Sequence, residues 1–155
     1  MVSRVLGVFL LVACIFSPAR TEQVQASSQW SIPFHTSNSM ILIEIKVNGR
    51  PATMLFDTGA RRTLLSAKLL AADLPLEPML HRSYDRGLEG QIIEKRVNML
   101  LADQEFPADV MVGNLDQLGA TMGVGKCDGL LGQDVLERFR SFTVSRKSRT
   151  IDFER

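Results

Sequence analysis

Cysteine is almost missing from this chain: of its 155 residues only Cys14 and Cys127 carry a thiol. Cys14 lies in the N-terminal apolar stretch, so a chain trimmed past it keeps Cys127 alone and cannot close an internal disulfide. Stability must then come from packing. An excess of charge is missing too, with 18 basic residues against 17 acidic ones. That balance implies no electrostatic partner and is not a nucleic-acid-binding composition. Only two histidines are present, His35 and His81, in polar stretches with no second His or Cys at ligand spacing, so both read as surface residues and no metal is expected. No internal repeat is evident. With 45% hydrophobic residues, the length suits one globular domain with its own core.

The longest apolar run, Val5 to Phe16, follows a single early base, Arg4. It is too short to span a bilayer comfortably and has the shape of a secretory signal. Small-residue cleavage sites end at Ala19 and Ala26, and Ala26 is favoured because it leaves a polar spacer. The reading is therefore a signal peptide over 1–26 and one domain over 27–155. A third option is a lipobox, Leu11-Val12-Ala13-Cys14, which would attach the protein to a membrane through a lipidated Cys14. Ile15 and Phe16 argue against it, since a polar tether is expected there. The protein is expected to be exported, periplasmic or secreted, and membrane-bound only if Cys14 is lipidated.

The remainder reads as mostly β with two short helices. Ile32-Pro33-Phe34 suggests a short edge strand, because proline cannot donate to a ladder. Met40 to Val47 alternates with period two, placing Ile41, Ile43, Ile45 and Val47 on one face, and Asn48-Gly49 signals a hairpin. The return strand, Pro51 to Phe56, runs into Asp57. Thr63-Leu64-Leu65 resumes as a strand, and Ser66 can cap a short helix. Two consecutive hairpins are expected between Met79 and Val112, with turns at Gly87 to Gly90 and Ala102 to Gln104. Asp134 is read as the cap of a helix over Val135 to Phe139, and Asp128 as a turn residue. A last hairpin joins Phe142-Thr143-Val144 to Thr150 through Phe153 across the basic turn Arg146 to Arg149.

Asp57 needs an explanation. An ionised carboxylate at the buried end of an apolar strand costs several kcal/mol unless it is hydrogen-bonded, paired or chemically employed. Thr58 offers a hydroxyl beside it, and Gly59 allows close backbone approach. The bland alternative is an Asp that merely opens a turn. A second buried turn is expected at Cys127 to Asp134, where Leu130 and Leu131 are flanked by Gly129 and Gly132.

In order along the chain, Ile32-Pro33-Phe34, Val47-Asn48-Gly49-Arg50-Pro51, Phe56-Asp57-Thr58-Gly59-Ala60 with Thr63-Leu64-Leu65-Ser66, and Asp128-Gly129-Leu130-Leu131-Gly132 resemble the retropepsin-like aspartic proteases, the single-lobe relatives of pepsin, in their exported bacterial form. The resemblance covers 32–153. It implies a closed, orthogonal β-barrel with short helices and an active site at a homodimer interface. Asp57 would be the catalytic residue, meeting Asp57 of a second copy, because the chain holds one Asp-Thr-Gly. Two carboxylates a few Å apart share one proton, and the pair would activate a water against a peptide carbonyl. Thr58, Gly59 and Ala60 would support the loop, Thr58 by a bond across the dimer. Gly129, Leu130, Leu131 and Gly132 would pack behind it, and Gly87, Leu88, Glu89 and Gly90 would form the tip of a flap over a peptide or protein substrate. No cofactor is implied. Arg61-Arg62 departs from the small hydroxyl residue common after Asp-Thr-Gly-Ala and bears on the substrate subsites. A rival reading is a non-catalytic, dimeric peptide-binding module of the same fold in the cell envelope. Asp128 and Asp134 are not followed by Thr-Gly or Ser-Gly, so neither is read as an internal partner for Asp57.

Overall fold

Three hairpins are turned by residue pairs that both have positive φ: Asn38-Ser39 (48° and 64°), Asn48-Gly49 (49° and 76°) and Ala102-Asp103 (51° and 60°). Such turns match the right-handed twist of the strands they join. Asn38-Ser39 connects β1 (Gln29–Ser37) to β2 (Met40–Val47), Asn48-Gly49 connects β2 to β3 (Arg50–Phe56), and Ala102-Asp103 connects β5 (Ile93–Leu101) to β6 (Gln104–Gly113). The computed structural model describes residues 29–70, 92–115 and 117–155. The expected signal over 1–26 and the expected flap tip, Gly87, Leu88, Glu89 and Gly90, lie outside them.

The remaining elements are β4 (Leu64–Ser66), α1 (Ala67–Leu70), α2 (Leu118–Met122), β7 (Gly129–Leu131), α3 (Gln133–Leu136), β8 (Ser141–Ser145) and β9 (Thr150–Glu154). The strands run in the order β3-β7-β4-β6-β5-β2-β1-β9-β8, and a further β2–β3 pairing joins the first six into a closed barrel. Closure leaves the barrel no free edge. Two pairings, β3 with β7 and β4 with β6, are parallel.

Period-two alternation fills the barrel as the sequence led us to expect. Ile43, Ile45 and Val47 of β2 and Ala52, Met54 and Phe56 of β3 share the main core with Val97, Met99 and Leu131. Each large side chain buried this way contributes about 1.5–3 kcal/mol. The opposite face of the β2–β3 hairpin is also covered. Leu42 and Leu55 pack with Val124 against Met122, Cys127 and Leu130. α3 caps the barrel with Val135 and Leu136, and Phe139 just after it lies 4.6 Å from the Phe153 ring.

Two expectations are corrected. β1 is not an edge strand: Gln29 to Pro33 pair with β9, and Phe34 to Ser37 pair with β2. Pro33 sits where the strand changes partners, so its missing N–H interrupts neither ladder. Secondly, there are three short helices among the described residues, because Leu118–Met122 does form one, closed at Gly123 in the left-handed conformation (φ 67°).

Candidate active site

The end of β3 is gripped by β7. Their register places Met54, Leu55 and Phe56 beside Gly129, Leu130 and Leu131, and the ladder continues one step further with Asp57 N donating to Leu131 O at 3.1 Å. β7 is wedged between β3 and β4, and only glycine fits at its start. A Cβ on Gly129 would lie 2.3 Å from Leu64 O, and one on Gly132 would lie 2.6 Å from the Arg62 carbonyl carbon. Asp57 therefore leaves the barrel from a fixed point.

Beyond that point the chain turns on the carboxylate itself. Asp57 Oδ1 accepts hydrogen bonds from Gly59 N (2.8 Å) and Ala60 N (3.2 Å), while Oδ2 has no hydrogen-bond partner among the described residues. The bond to residue i+2 is the usual Asx turn. Asp57 is half-buried, and Thr58 and Gly59 are exposed. The site thus presents one oriented oxygen and one available oxygen at the protein surface.

The segment after β7 pins the loop from beneath. Gln133 N donates to Ala60 O at 2.8 Å and Asp134 N to Arg61 O at 3.3 Å, while Gln133 Nε2 donates to Thr58 O at 2.9 Å. Thr63, fully buried, joins both halves. Its N–H and hydroxyl donate to Asp134 Oδ1 at 2.9 and 2.7 Å, and its Oγ1 accepts from Gly132 N at 3.0 Å. Arg62 adds an ion pair with Glu94 at the start of β5 and a second with Asp134 at 3.3 Å. The bond to Glu94, above all, holds the Arg62 guanidinium above its ordinary range.

These bonds revise the part assigned to Asp134. The cap position of α3 is Gly132, with Asp134 in the first turn, and its carboxylate is spent on Thr63. A cap would have bonded its own helix, but two buried donors on Thr63 compete for the same oxygens. Asp128 does more than make a turn: its Oδ2 accepts from Thr53 N at 2.9 Å, and its N–H donates to Thr53 O at 2.8 Å. Both carboxylates are committed away from Asp57, which leaves it without an internal partner among the described residues.

The structure thus brings Asp57, Thr58, Gly59 and Ala60 against Leu131 and Gln133. The bonds that Thr63, Gln133 and Asp134 make to brace the loop, and the Arg62–Glu94 pair, were not read from the sequence, which had Asp134 as a helix cap and Arg61-Arg62 as a departure from the usual hydroxyl residue. The available signal was Thr63 itself, a β-branched hydroxyl residue between two arginines and an apolar strand. No group of three or more His, Cys, Asp or Glu among the described residues is placed to hold a metal, and His35 is exposed on β1.

Comparison with known proteins agrees with this geometry. A family model described as aspartyl protease matches residues 43–135, and no curated protein sequence matches the chain. The fold is similar to that of a retropepsin-like aspartic protease from Rickettsia conorii, with a TM-score of 0.58 and 21% identity over 83% of this chain and 91% of that one. Slighter likenesses, which carry no argument, are to the retroviral protease-like domain of Ddi1 from Leishmania major (TM-score 0.47, 17% identity, 70% and 82% covered) and to the EIAV protease complexed with the inhibitor HBY-793 (TM-score 0.42, 17% identity, 63% and 85% covered). The family match spans both the Asp57 loop and the β7–α3 segment that supports it, and the chain belongs to the aspartyl protease family, with a fold of the retropepsin-like kind.

Proposed function

We propose that two copies of this chain together form an aspartic endopeptidase, with Asp57 of each copy supplying half of the catalytic pair. The observation that carries the reading is the asymmetric Asp57 carboxylate, with Oδ1 fixed by two backbone N–H groups and Oδ2 without a hydrogen-bond partner among the described residues. One carboxylate can take a proton or give one, but peptide hydrolysis needs both acts at once. In the pair, the ionised member takes a proton from a water held between the two. The water oxygen bonds to the scissile carbonyl carbon, whose oxygen is hydrogen-bonded by the protonated member. Collapse of the tetrahedral intermediate breaks the C–N bond as a proton passes to the leaving amine. These steps use only carboxylates and water. Residues 1–26, read as an export signal, would place the substrate peptides outside the cytoplasm.

The test is a digest of a peptide library by the wild type and by Asp57→Asn. Wild type should cleave, and the variant should lose activity by about a thousandfold or more while keeping its circular dichroism spectrum. Pepstatin-type transition-state mimics should compete with substrate. Undiminished turnover by Asp57→Asn removes the proposal. Peptide binding with no cleavage by either protein leaves the non-catalytic module in its place.

A further inference from the structure

Arg61 and Arg62 are adjacent on the loop that follows Asp57, but their charges meet different surroundings. Arg62 is enclosed by acceptors. Its guanidinium bonds Glu94, lies 3.3 Å from Asp134 Oδ2 and reaches Asp109 O at 3.4 Å. Arg61 is exposed, and its guanidinium has no hydrogen bond or ion pair among the described residues. The acids around the loop are already engaged. Asp134 holds Thr63 as well as Arg62, Glu94 is taken by Arg62, and Asp109 Oδ1 lies 3.3 Å from Arg96 Nε. One cation therefore stands beside Asp57 with no counter-charge among the described residues.

The root of that side chain is nevertheless fixed. Arg61 O accepts from Asp134 N at 3.3 Å, and Ala60 O from Gln133 N at 2.8 Å. Ala60 N donates to Asp57 Oδ1 at 3.2 Å, so Arg61 begins one residue past a bond made by the carboxylate itself. A peptide lying extended across Asp57 advances about 3.3 Å per residue, which brings the residues flanking the cleaved bond close to Arg61. A guanidinium meets a carboxylate through two parallel N–H donors.

We propose that Arg61 selects peptides carrying an acidic side chain, Asp or Glu, within about three residues of the cleaved bond. The inference rests on the endopeptidase reading and names its substrate class. A catalytic pair that shares one proton keeps one negative charge, which by itself repels an acidic peptide. Arg61 offsets that repulsion. Each copy brings its own Arg61, so acidic residues are favoured on both sides of the bond. The near-balance of the whole chain, 18 basic residues against 17 acidic, conceals this local excess of positive charge.

The experiment compares peptides that differ only by Glu or Gln at positions flanking the cleaved bond. Wild type at pH 6 should favour Glu in kcat/KM by roughly fivefold. In Arg61→Ala that ratio should fall to about one, and in Arg61→Glu it should invert, with circular dichroism confirming that both variants fold. The preference should also vanish at pH 3, below the range near 4.3 where a free Glu side chain takes up its proton. A wild-type ratio of one, a ratio unchanged in Arg61→Glu, a ratio lost with Arg62→Gln instead of Arg61→Ala, or a preference that persists at pH 3 overturns the inference and leaves the protease reading standing. Binding of the same peptides to Asp57→Asn, read by fluorescence polarisation, separates the two. An Arg61-dependent preference for the Glu peptides in binding, with no cleavage by wild type, upholds acidic recognition and removes the protease reading. Neither cleavage nor a Glu preference removes both.

Discussion

Asp134 holds Thr63 at three points: its Oδ1 takes the Thr63 hydroxyl at 2.7 Å, and its two oxygens share the Thr63 N–H at 2.9 and 3.0 Å. Through Thr63 Oγ1 the same bond network reaches Gly132 N, so one buried hydroxyl ties the loop after Asp57 to the segment after β7. Replacing Asp134 by Ala strands both donors of the buried Thr63, at a cost of about 3 kcal/mol. Asp134→Asn keeps one acceptor oxygen and should lose roughly half as much. Urea unfolding of the two variants beside the wild type measures both losses.

The two glycines that bracket Leu130 and Leu131 should be intolerant of a single methyl group. A Cβ at Gly129 meets the Leu64 carbonyl oxygen at 2.3 Å, and one at Gly132 meets Arg62 and Thr63 backbone atoms below 3.0 Å. Backbone cannot step aside as a flexible side chain can, so Gly129→Ala and Gly132→Ala should each cost about 2 kcal/mol or more. Gly125, where an added Cβ has nothing within 4 Å, still has φ 75°, so Gly125→Ala should cost only about 1 kcal/mol from backbone strain. Thermal unfolding of the three variants should show that order.

At Gly59 the contact is subtler. An added Cβ would lie 3.3 Å from Asp57 Oδ1, close enough to displace the carboxylate by a few tenths of an ångström without breaking the fold. Gly59→Ala should therefore lower kcat by about tenfold or more with a small change in stability. A comparison of peptide turnover with the unfolding midpoint checks it.

An active pair must carry one proton, so peptide cleavage should be fastest in acid and fall as the pH rises and the shared proton is lost. A pH–rate profile of kcat/KM reports both limits, and each belongs to the pair. An optimum above neutral pH would contradict the shared-proton mechanism.

Cys127 gives a second pH dependence, independent of catalysis. Burial, foremost, and the nearby Asp128 charge push its thiol up, and its S–H donates to Gly129 O at 3.1 Å. The folded protein holds this proton more tightly than the unfolded chain, whose thiol titrates at about 8.5. The thiol's contribution to stability is thus complete below that pH and is lost as the pH rises through the higher folded value. Iodoacetamide should alkylate Cys127 with a midpoint shifted upward in the folded protein and return to the ordinary range in urea.

Much of this arrangement could be read from local sequence, because it rests on local rules. Asn48-Gly49 turned the hairpin that delivers Asp57, the alternation of Ile43, Ile45 and Val47 named the inward face of β2, and the basic turn at Arg146 separated β8 from β9. Asp57 stood out since an acid at the end of an apolar strand is costly without a purpose. What could not be read were partnerships between distant residues. Pro33 looks like an edge signal in isolation, and only the presence of both β2 and β9 shows that it lies where the strand changes partners. Asp134 looks like a cap because capping is the nearest use for an acid before a helix. Its actual donors on Thr63 are 71 positions away, and nothing local announces them.

The grip of β7 on β3 has a consequence for how the protein is made. Met54 and Gly129 are neighbours in the sheet but are synthesised far apart in time, and pairing across so long a stretch comes late in folding. A nascent chain that has already displayed Asp57-Thr58-Gly59 has neither Leu131 to hold the aspartate nor Gln133 to brace the turn. The loop that holds the carboxylate therefore lacks its support until residues 129–133 have emerged. In the proposed endopeptidase, that ordering would keep an unfinished chain from cutting before its fold is complete.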